Sequence, residues 1–298
     1  MKLFEHVMVA VDSGSARADL IRYAGAIHRL LPYAEFTFVN VMGWEARSTH
    51  RVEPATHAQV LQRLEEDVAH GFGAGRSLVL HGSVVDGLLE SAAELAADVI
   101  LVGHAKEHSR RRSTARRLAM QAPCSVWMKP VESGSSLRRV LAAIDYSECS
   151  AYALSVAGHI ARFAGSTECR ALHTYLNEAS AGVDDYQACD RTRERDAFDR
   201  FTAPLDTAGV SIQPILVEGA SVAAAVNHVA ASDPVDLVVM GSRGQSRSLS
   251  TLLGSESEHV MMESEIPVLI AKRRGERIGI LQALLDRNFH LQESPRFG

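Results

Sequence analysis

Short, unbroken apolar runs alternate along this chain with longer segments whose apolar residues recur every three or four positions, and the whole alternation occurs twice. In the first half the runs cover residues 6–12, 35–41, 77–81, 98–103 and 124–129; in the second they cover 139–145, 168–174, 211–217, 236–241 and 266–272. Runs this short, rich in β-branched residues and lacking polar alternation, predict strands buried on both faces. The intervening segments 16–31, 57–73, 151–164 and 188–208 carry one-sided apolar spacing and predict helices, as do the alanine-rich stretches that open at Val84 and Val222. Strands and helices in strict alternation predict an α/β fold with a parallel sheet covered by helices on both sides.

The repeat defines the organisation. Each half opens with an apolar strand ending in aspartate, Asp12 or Asp145, before a serine-containing turn. Residues 1–130 read as one domain, 131–137 as a short flexible linker, 138–272 as a second domain, and 273–298 as an extension beyond the repeat. In that extension Ile278, Ile280, Leu281, Leu284 and Leu285 are spaced for one apolar helical stripe.

The 298 residues suit two domains of ordinary composition. A net charge of −5 gives no general attraction to nucleic acid or to anionic membranes. No apolar run is long enough to cross a bilayer. The strand-like opening leaves no room for a secretory signal, and Cys124, Cys149, Cys169 and Cys189 are scattered without a Cys-x2-Cys pair. A cytoplasmic protein with reduced thiols is expected.

The most informative stretch runs from Asp236 to Lys272. Its strand ends on Gly241; Gly244 and Gly254 follow, with Ser255 directly after the last, and then a helix and another strand. Glycines let backbone N–H groups approach an anion, and a helix start adds partial positive charge, so the arrangement is suited to phosphate. The spacing Gly-x2-Gly-x9-Gly-Ser excludes a P-loop and the dinucleotide fingerprint. The bland alternative is a serine- and glycine-rich connection, which would not require both flanking strands in register.

This pattern, closed by the Ile266-Pro267-Val268 strand, resembles the ATP-binding signature of the universal stress protein family, and the resemblance covers residues 1 to about 272. It implies two tandem five-stranded parallel sheets of strand order 3-2-1-4-5, related by a pseudo-two-fold axis. Each would have a switch point between its first and fourth strands, where open α/β sheets bind ligands. Family members commonly pair through the fifth strand, so the two halves are expected to pair there; a homodimer is the other use of such an edge. The resemblance further implies ATP contacts at Ala143, Ile144 and Asp145, with Asp145 accepting from the ribose. Thr174 would lie by the adenine and Met240 would line its pocket, while Gly241, Gly244, Gly254 and Ser255 would hold the phosphates. Taken by themselves, Asp145 reads equally as a turn residue and Met240 as core. One departure stands out: Glu256 occupies the position where the family usually has valine.

The first half keeps Asp12 and Gly103 and loses the rest. Counting back from the fifth strands, Ser113 falls opposite Ser255 and Arg112 replaces Gly254; ten positions separate Gly103 from Ser113, against fourteen from Gly241 to Ser255. Without glycines no backbone nest can close round a triphosphate, so this half is expected to be structural or regulatory. Arg110, Arg111, Arg112, Arg116 and Arg117 could attract an acidic partner but read first as a solvated face. His104 and His108, four apart with no third ligand, read as surface histidines.

The expectation is one ATP in the second half, with Mg²⁺ as an optional bridge, in a nucleotide-responsive stress or regulatory protein working through an unidentified protein partner. Hydrolysis should be slow at most, because residues 241–255 contain no lysine, their cations are Arg243 and Arg247, and no carboxylate stands out to orient water. The alternatives are a nucleotidyl-transferring enzyme of the same fold and an interaction module with an empty pocket. The first usually shows a His-x-Gly-His type motif near the first strand, where residues 145–150 here hold no histidine.

Overall fold

A computed structural model describes residues 3–12, 14, 16–43, 56–104, 109–131, 133–175, 184–219, 221–244 and 253–273, with side chains outside 109–113 and 184–191. The apolar stripe at 278–285, His108, Arg247 and the side chains of Arg110, Arg111 and Arg112 lie outside the described residues. The first half consists of β1 (His6–Ala10), α1 (Arg17–Leu30), β2 (Glu35–Met42), α2 (His57–Gly71), β3 (Arg76–His81), α3 (Val84–Glu94), β4 (Val99–His104), α4 (Ser109–Gln121) and β5 (Ser125–Pro130). The second consists of β6 (Val140–Ile144), α5 (Glu148–Phe163), β7 (Glu168–Tyr175), α6 (Asp184–Thr202), β8 (Ser211–Glu218), α7 (Val222–Ser232), β9 (Leu237–Gly241), α8 (Ser255–Glu263) and β10 (Val268–Ala271).

Each half is a parallel sheet of order third-second-first-fourth-fifth, and the two join through their fifth strands into one ten-stranded sheet, β3-β2-β1-β4-β5-β10-β9-β6-β7-β8. The join is antiparallel, with Val268 opposite Met128 and Ile270 opposite Val126. Its cause lies in the edge strands: β5 is buried throughout, and an apolar edge with unpaired N–H groups must be covered. Because the join is antiparallel, the C-terminal ends of the two sets of parallel strands face opposite edges of the sheet.

Side chains alternate between two cores, as strand geometry requires. Val7, Val9, Ala142 and Ile144 pack with α1, α2, α5 and α6 through residues such as Ile21, Leu64, Leu154 and Phe198. Met8, Leu141 and Ala143 pack with α3, α4, α7 and α8 through Leu88, Leu118, Val226 and Met261. Apolar cover on both faces is why the strands read as continuous apolar runs.

Local chemistry shifts several boundaries. α5 starts at Glu148, three residues before its apolar pattern, because Ser147 accepts a hydrogen bond from the Ser150 N–H (3.2 Å) and caps it. β7 runs one residue past Thr174, to Tyr175. His104 is not a surface histidine: it is the last residue of β4, 1% exposed, and the pairing of β4 with β5 reaches as far as His104–Pro130. Of the cysteines, Cys124, Cys149 and Cys169 are free thiols, and burial pushes the Cys169 thiol up to about 12. Side-chain contacts also lock the halves together beyond the strand pair. Lys272 donates from Nζ to the Ala119 (2.5 Å) and Ala122 (3.2 Å) carbonyls at the end of α4, and Arg116 on α4 pairs with Glu258 on α8 at 2.5 Å.

Candidate functional site

β6 lies between β7 and β9. The chain leaves β6 into α5 on one face of the sheet and leaves β9 toward α8 on the other. That divergence opens a crevice at the strands' C-terminal ends. A cavity of about 200 Å³ lies there, lined by Ala143, Ile144, Asp145, Ser150, Val222, Met240, Gly241, Arg243, Gly244, Gly254, Ser255, Glu256 and Ser257. Of the residues singled out in the sequence, Thr174 is not among the lining; it lies one position beyond the last residue of β7 that pairs with β6, His173 opposite Ile144, pairs with Val217 on the other side, and is half-buried. Sequence reasoning missed Ser150, Val222 and Ser257. Val222 had a legible signal, the serine-valine helix start after a glycine, Gly82-Ser83-Val84 in one half and Gly219-Ala220-Ser221-Val222 in the other; Ser150 and Ser257 are brought in by the first turns of α5 and α8.

The cradle is assembled by backbone bonds. The Gly254 N–H donates to the Ser242 carbonyl at 2.8 Å, and the Ser257 hydroxyl donates to the Gly241 carbonyl at 2.8 Å. Together they fasten the first turn of α8 to the end of β9. α5 and α7 in the same half each carry a serine that caps the first turn, whereas α8 begins at Gly254 with no side-chain cap. Its first-turn N–H groups, beside Ser255, therefore have no side-chain oxygen of the cap residue to satisfy them.

The three glycines have different reasons. A Cβ at Gly241 would lie 2.9 Å from the Cys149 backbone, so the start of α5 excludes it. A Cβ at Gly244 would lie 2.6 Å from Asp145 Oδ2. At Gly254 the nearest atom would be at 3.6 Å, an ordinary contact. The fold thus demands glycine at Gly241, where backbone is in the way; at Gly244 a side chain would displace the Asp145 carboxylate rather than the fold, and at Gly254 the added atom would meet only permissive packing beside the cavity.

Two carboxylates stand on the cavity wall, Asp145 and Glu256, with Arg243 as the described cation; both were singled out in the sequence, Asp145 for the ribose and Glu256 as the departure at the helix start. Asp145 Oδ1 accepts from the Ser147 N–H at 3.1 Å, holding the turn into α5. Between them Tyr146 adopts φ of 62°, with its ring 4.1 Å from that of His173. Burial raises the Tyr146 phenol above its ordinary value, and Glu194 adds to the effect. Glu256 Oε2 accepts from the Val222 N–H at 3.2 Å, at the first residue of α7.

The corresponding crevice of the first half, at the ends of β1 and β4, is a cavity of about 220 Å³. Its walls are aliphatic, including Val11, Leu20, Val39, Val41, Leu88 and Val102, and Gly103 is the sole glycine among its lining residues. Asp12 and Arg17 stand at its rim, but Arg17 pairs with Asp67 and donates to the Arg63 carbonyl at 3.0 Å. α4 begins at Ser109, four residues and about one turn before Ser113, the counterpart of Ser255.

The model of the universal stress protein family matches this chain twice, over residues 3–130 and 136–272. The chain belongs to that family, as a tandem of two copies. A curated relative, universal stress protein MJ0577 of Methanocaldococcus jannaschii, is 31% identical over 80 residues, 27% of this chain and 49% of that protein, so the match spans about half the relative's length. Among solved structures, a universal stress protein from Archaeoglobus fulgidus shares the fold at 16% identity with a TM-score of 0.61, covering 92% of this chain and 97% of its own. A functionally unknown protein from Pseudomonas aeruginosa does so at 14% identity with a TM-score of 0.69, covering 95% and 98%. No described helix is long and apolar enough to cross a membrane.

Proposed function

We propose that the crevice between β6 and β9 binds one adenine nucleotide, ATP in the first instance, and that the protein is a nucleotide-responsive stress or regulatory protein acting through contacts with other proteins. The observation that carries this reading is the uncapped start of α8 lying beside Gly244 and the Asp145 carboxylate in one cavity. Backbone N–H groups at a helix start suit phosphate, and a carboxylate at the end of the first strand suits ribose hydroxyls. Ala143, Ile144 and Met240 would flank the base, while Gly241, Gly244, Gly254 and Ser255 would surround the phosphates. A Mg²⁺ ion carried by the triphosphate would find oxygens at Asp145 and Glu256, which fits a metal held chiefly by phosphate and water.

Mass spectrometry of the purified protein for bound nucleotide, followed by calorimetric titration, tests the reading. One site per chain supports it; no nucleotide bound under any condition supports the interaction-module alternative. Steady-state hydrolysis or transfer to an added acceptor faster than about one turnover per second would favour an enzyme. Slow turnover is expected, because both wall carboxylates already accept backbone N–H groups.

A further inference from the structure

Two helix starts converge on the second-half cavity, those of α7 at Val222 and α8 at Ser255. Both are favourable places for an anion. At α7 the Ser221 hydroxyl accepts from the Ala224 N–H at 3.3 Å, and Glu256 accepts from the Val222 N–H at 3.2 Å. A fixed negative charge of the protein therefore already sits at one of the two positive ends, while the other has no side-chain cap. Glu258, two residues along the same first turn, is turned instead toward Arg116, at 2.5 Å.

We propose that Glu256 sets how many phosphates the crevice tolerates. A single phosphate can take the uncapped start of α8, whereas the outer phosphates of a triphosphate, seeking the same positive region, meet the Glu256 carboxylate. The site then prefers a nucleoside monophosphate to a triphosphate when no divalent cation is present. This rests on the reading that the crevice binds an adenine nucleotide, and it adds to that reading the residue that grades nucleotides by charge. A side chain that is neutral but still offers an oxygen to the Val222 N–H should abolish the grading without loosening α7.

The experiment is calorimetric titration of AMP and of ATP, each in a metal chelator at low salt, into the wild type, Glu256→Gln and Glu258→Gln. The ATP-to-AMP ratio of Kd should fall about threefold to tenfold in Glu256→Gln, which is on the order of one charge–charge contact screened by water. The difference should shrink as salt rises. Glu258→Gln should leave the ratio as it is in the wild type, since its carboxylate is not on the cavity wall. If both nucleotides bind and Glu256→Gln leaves the ratio unchanged, the inference is wrong and the nucleotide site stands. Equal changes in both variants also overturn it, because they would report the charge of the whole helix start. If neither nucleotide binds any of the three proteins, the site reading itself fails and takes the inference with it.

Discussion

The two crevices of this molecule occupy equivalent positions in equivalent sheets, yet they are different kinds of space. The first is walled by Val11, Val39, Val41 and Val102 and approached by a helix that starts about one turn early. The second is walled by Gly244, Gly254, Ser255 and two carboxylates, and the start of its helix carries no side-chain cap. The sheet and its switch point are common to both, so they cannot by themselves confer ligand chemistry. What differs is the connection after the fourth strand: fourteen positions with two internal glycine sites in one half, ten with none in the other. Fold and site are separable here within a single chain.

The most forceful way to break the comparison is at Gly254. Its backbone, at φ −69° and ψ 148°, is open to any residue, and an added Cβ meets only ordinary contacts. Gly254→Val is therefore expected to fold, at a cost of about 1 kcal/mol for a poorer cap residue, while losing nucleotide affinity by about tenfold or more, roughly 1.4 kcal/mol upward. Gly103→Ala, whose Cβ would meet Leu20 at 3.7 Å, should leave affinity unchanged. Calorimetry reads both, and a second binding event per chain, or a Gly254→Val protein that binds normally, would erase the distinction between the crevices.

A second comparison concerns stability. Asp98 and Asp236 precede the fourth strands of the two halves and each ties the start of the first strand: Asp98 accepts from the Glu5 and His6 N–H groups at 2.7 and 3.0 Å, Asp236 from those of Arg138 and Arg139 at 3.0 Å. Asp236 is the more buried, 8% exposed, and also receives the Arg139 guanidinium at 2.6 Å and the Ser136 hydroxyl at 2.7 Å. Burial alone would raise its carboxyl, but the bonds from Arg139 and Ser136 outweigh it and hold the group below its ordinary 3.8. With the folded-state value lowered, its contribution is complete above that ordinary value and is lost as pH falls through the folded one. Asp236→Asn should cost about 1–3 kcal/mol at neutral pH, more than Asp98→Asn, and its urea midpoint should depend less on pH below about 4. Equal costs for the two variants would mean that the added partners contribute nothing.

Much of this was legible because both sequence signals are periodic. Strands such as Val140–Ile144 sit between two cores and must be apolar at every position, which makes them visible without an alignment. The repeat with its apolar fifth strands led to the β5–β10 join, since an edge of that composition needs a partner. In the candidate site, Gly241, Gly244, Gly254 and Ser255 followed from glycine spacing, while Ala143, Ile144, Asp145 and Met240 followed from the family resemblance; all eight line the cavity. Thr174 is not on the cavity wall, because a residue's distance from a neighbouring strand's crevice depends on register, and the pairing of β7 with β6 ends at Ile144–His173. His104 was misread because one further residue of β4 pairs with β5 and carries the ring inside. Glu256 was visible as a departure, but its bond to α7 joins residues 34 positions apart, which spacing within one motif cannot show.

The smallest expected effect tests whether the two halves exchange information as well as surface. Arg116, in the half with the aliphatic crevice, pairs with Glu258 in the first turn of α8, the helix whose start lines the other crevice. Thr114, two residues before Arg116, lines the first cavity. The pair is thus a physical link between both crevices, but Arg116 is half-exposed, and pairs of that kind contribute about 0.2–1 kcal/mol and weaken with salt. Arg116→Ala should therefore lower stability by no more than about 1 kcal/mol. It should change nucleotide affinity by less than about threefold, because α8 remains fastened through Ser257 to Gly241 and through Gly254 to Ser242. Paired denaturation and titration measurements at low and high salt check this. A loss of affinity much larger than the loss of stability would show that the first half tunes the second through this single contact, and the two crevices would then have to be treated as one coupled system.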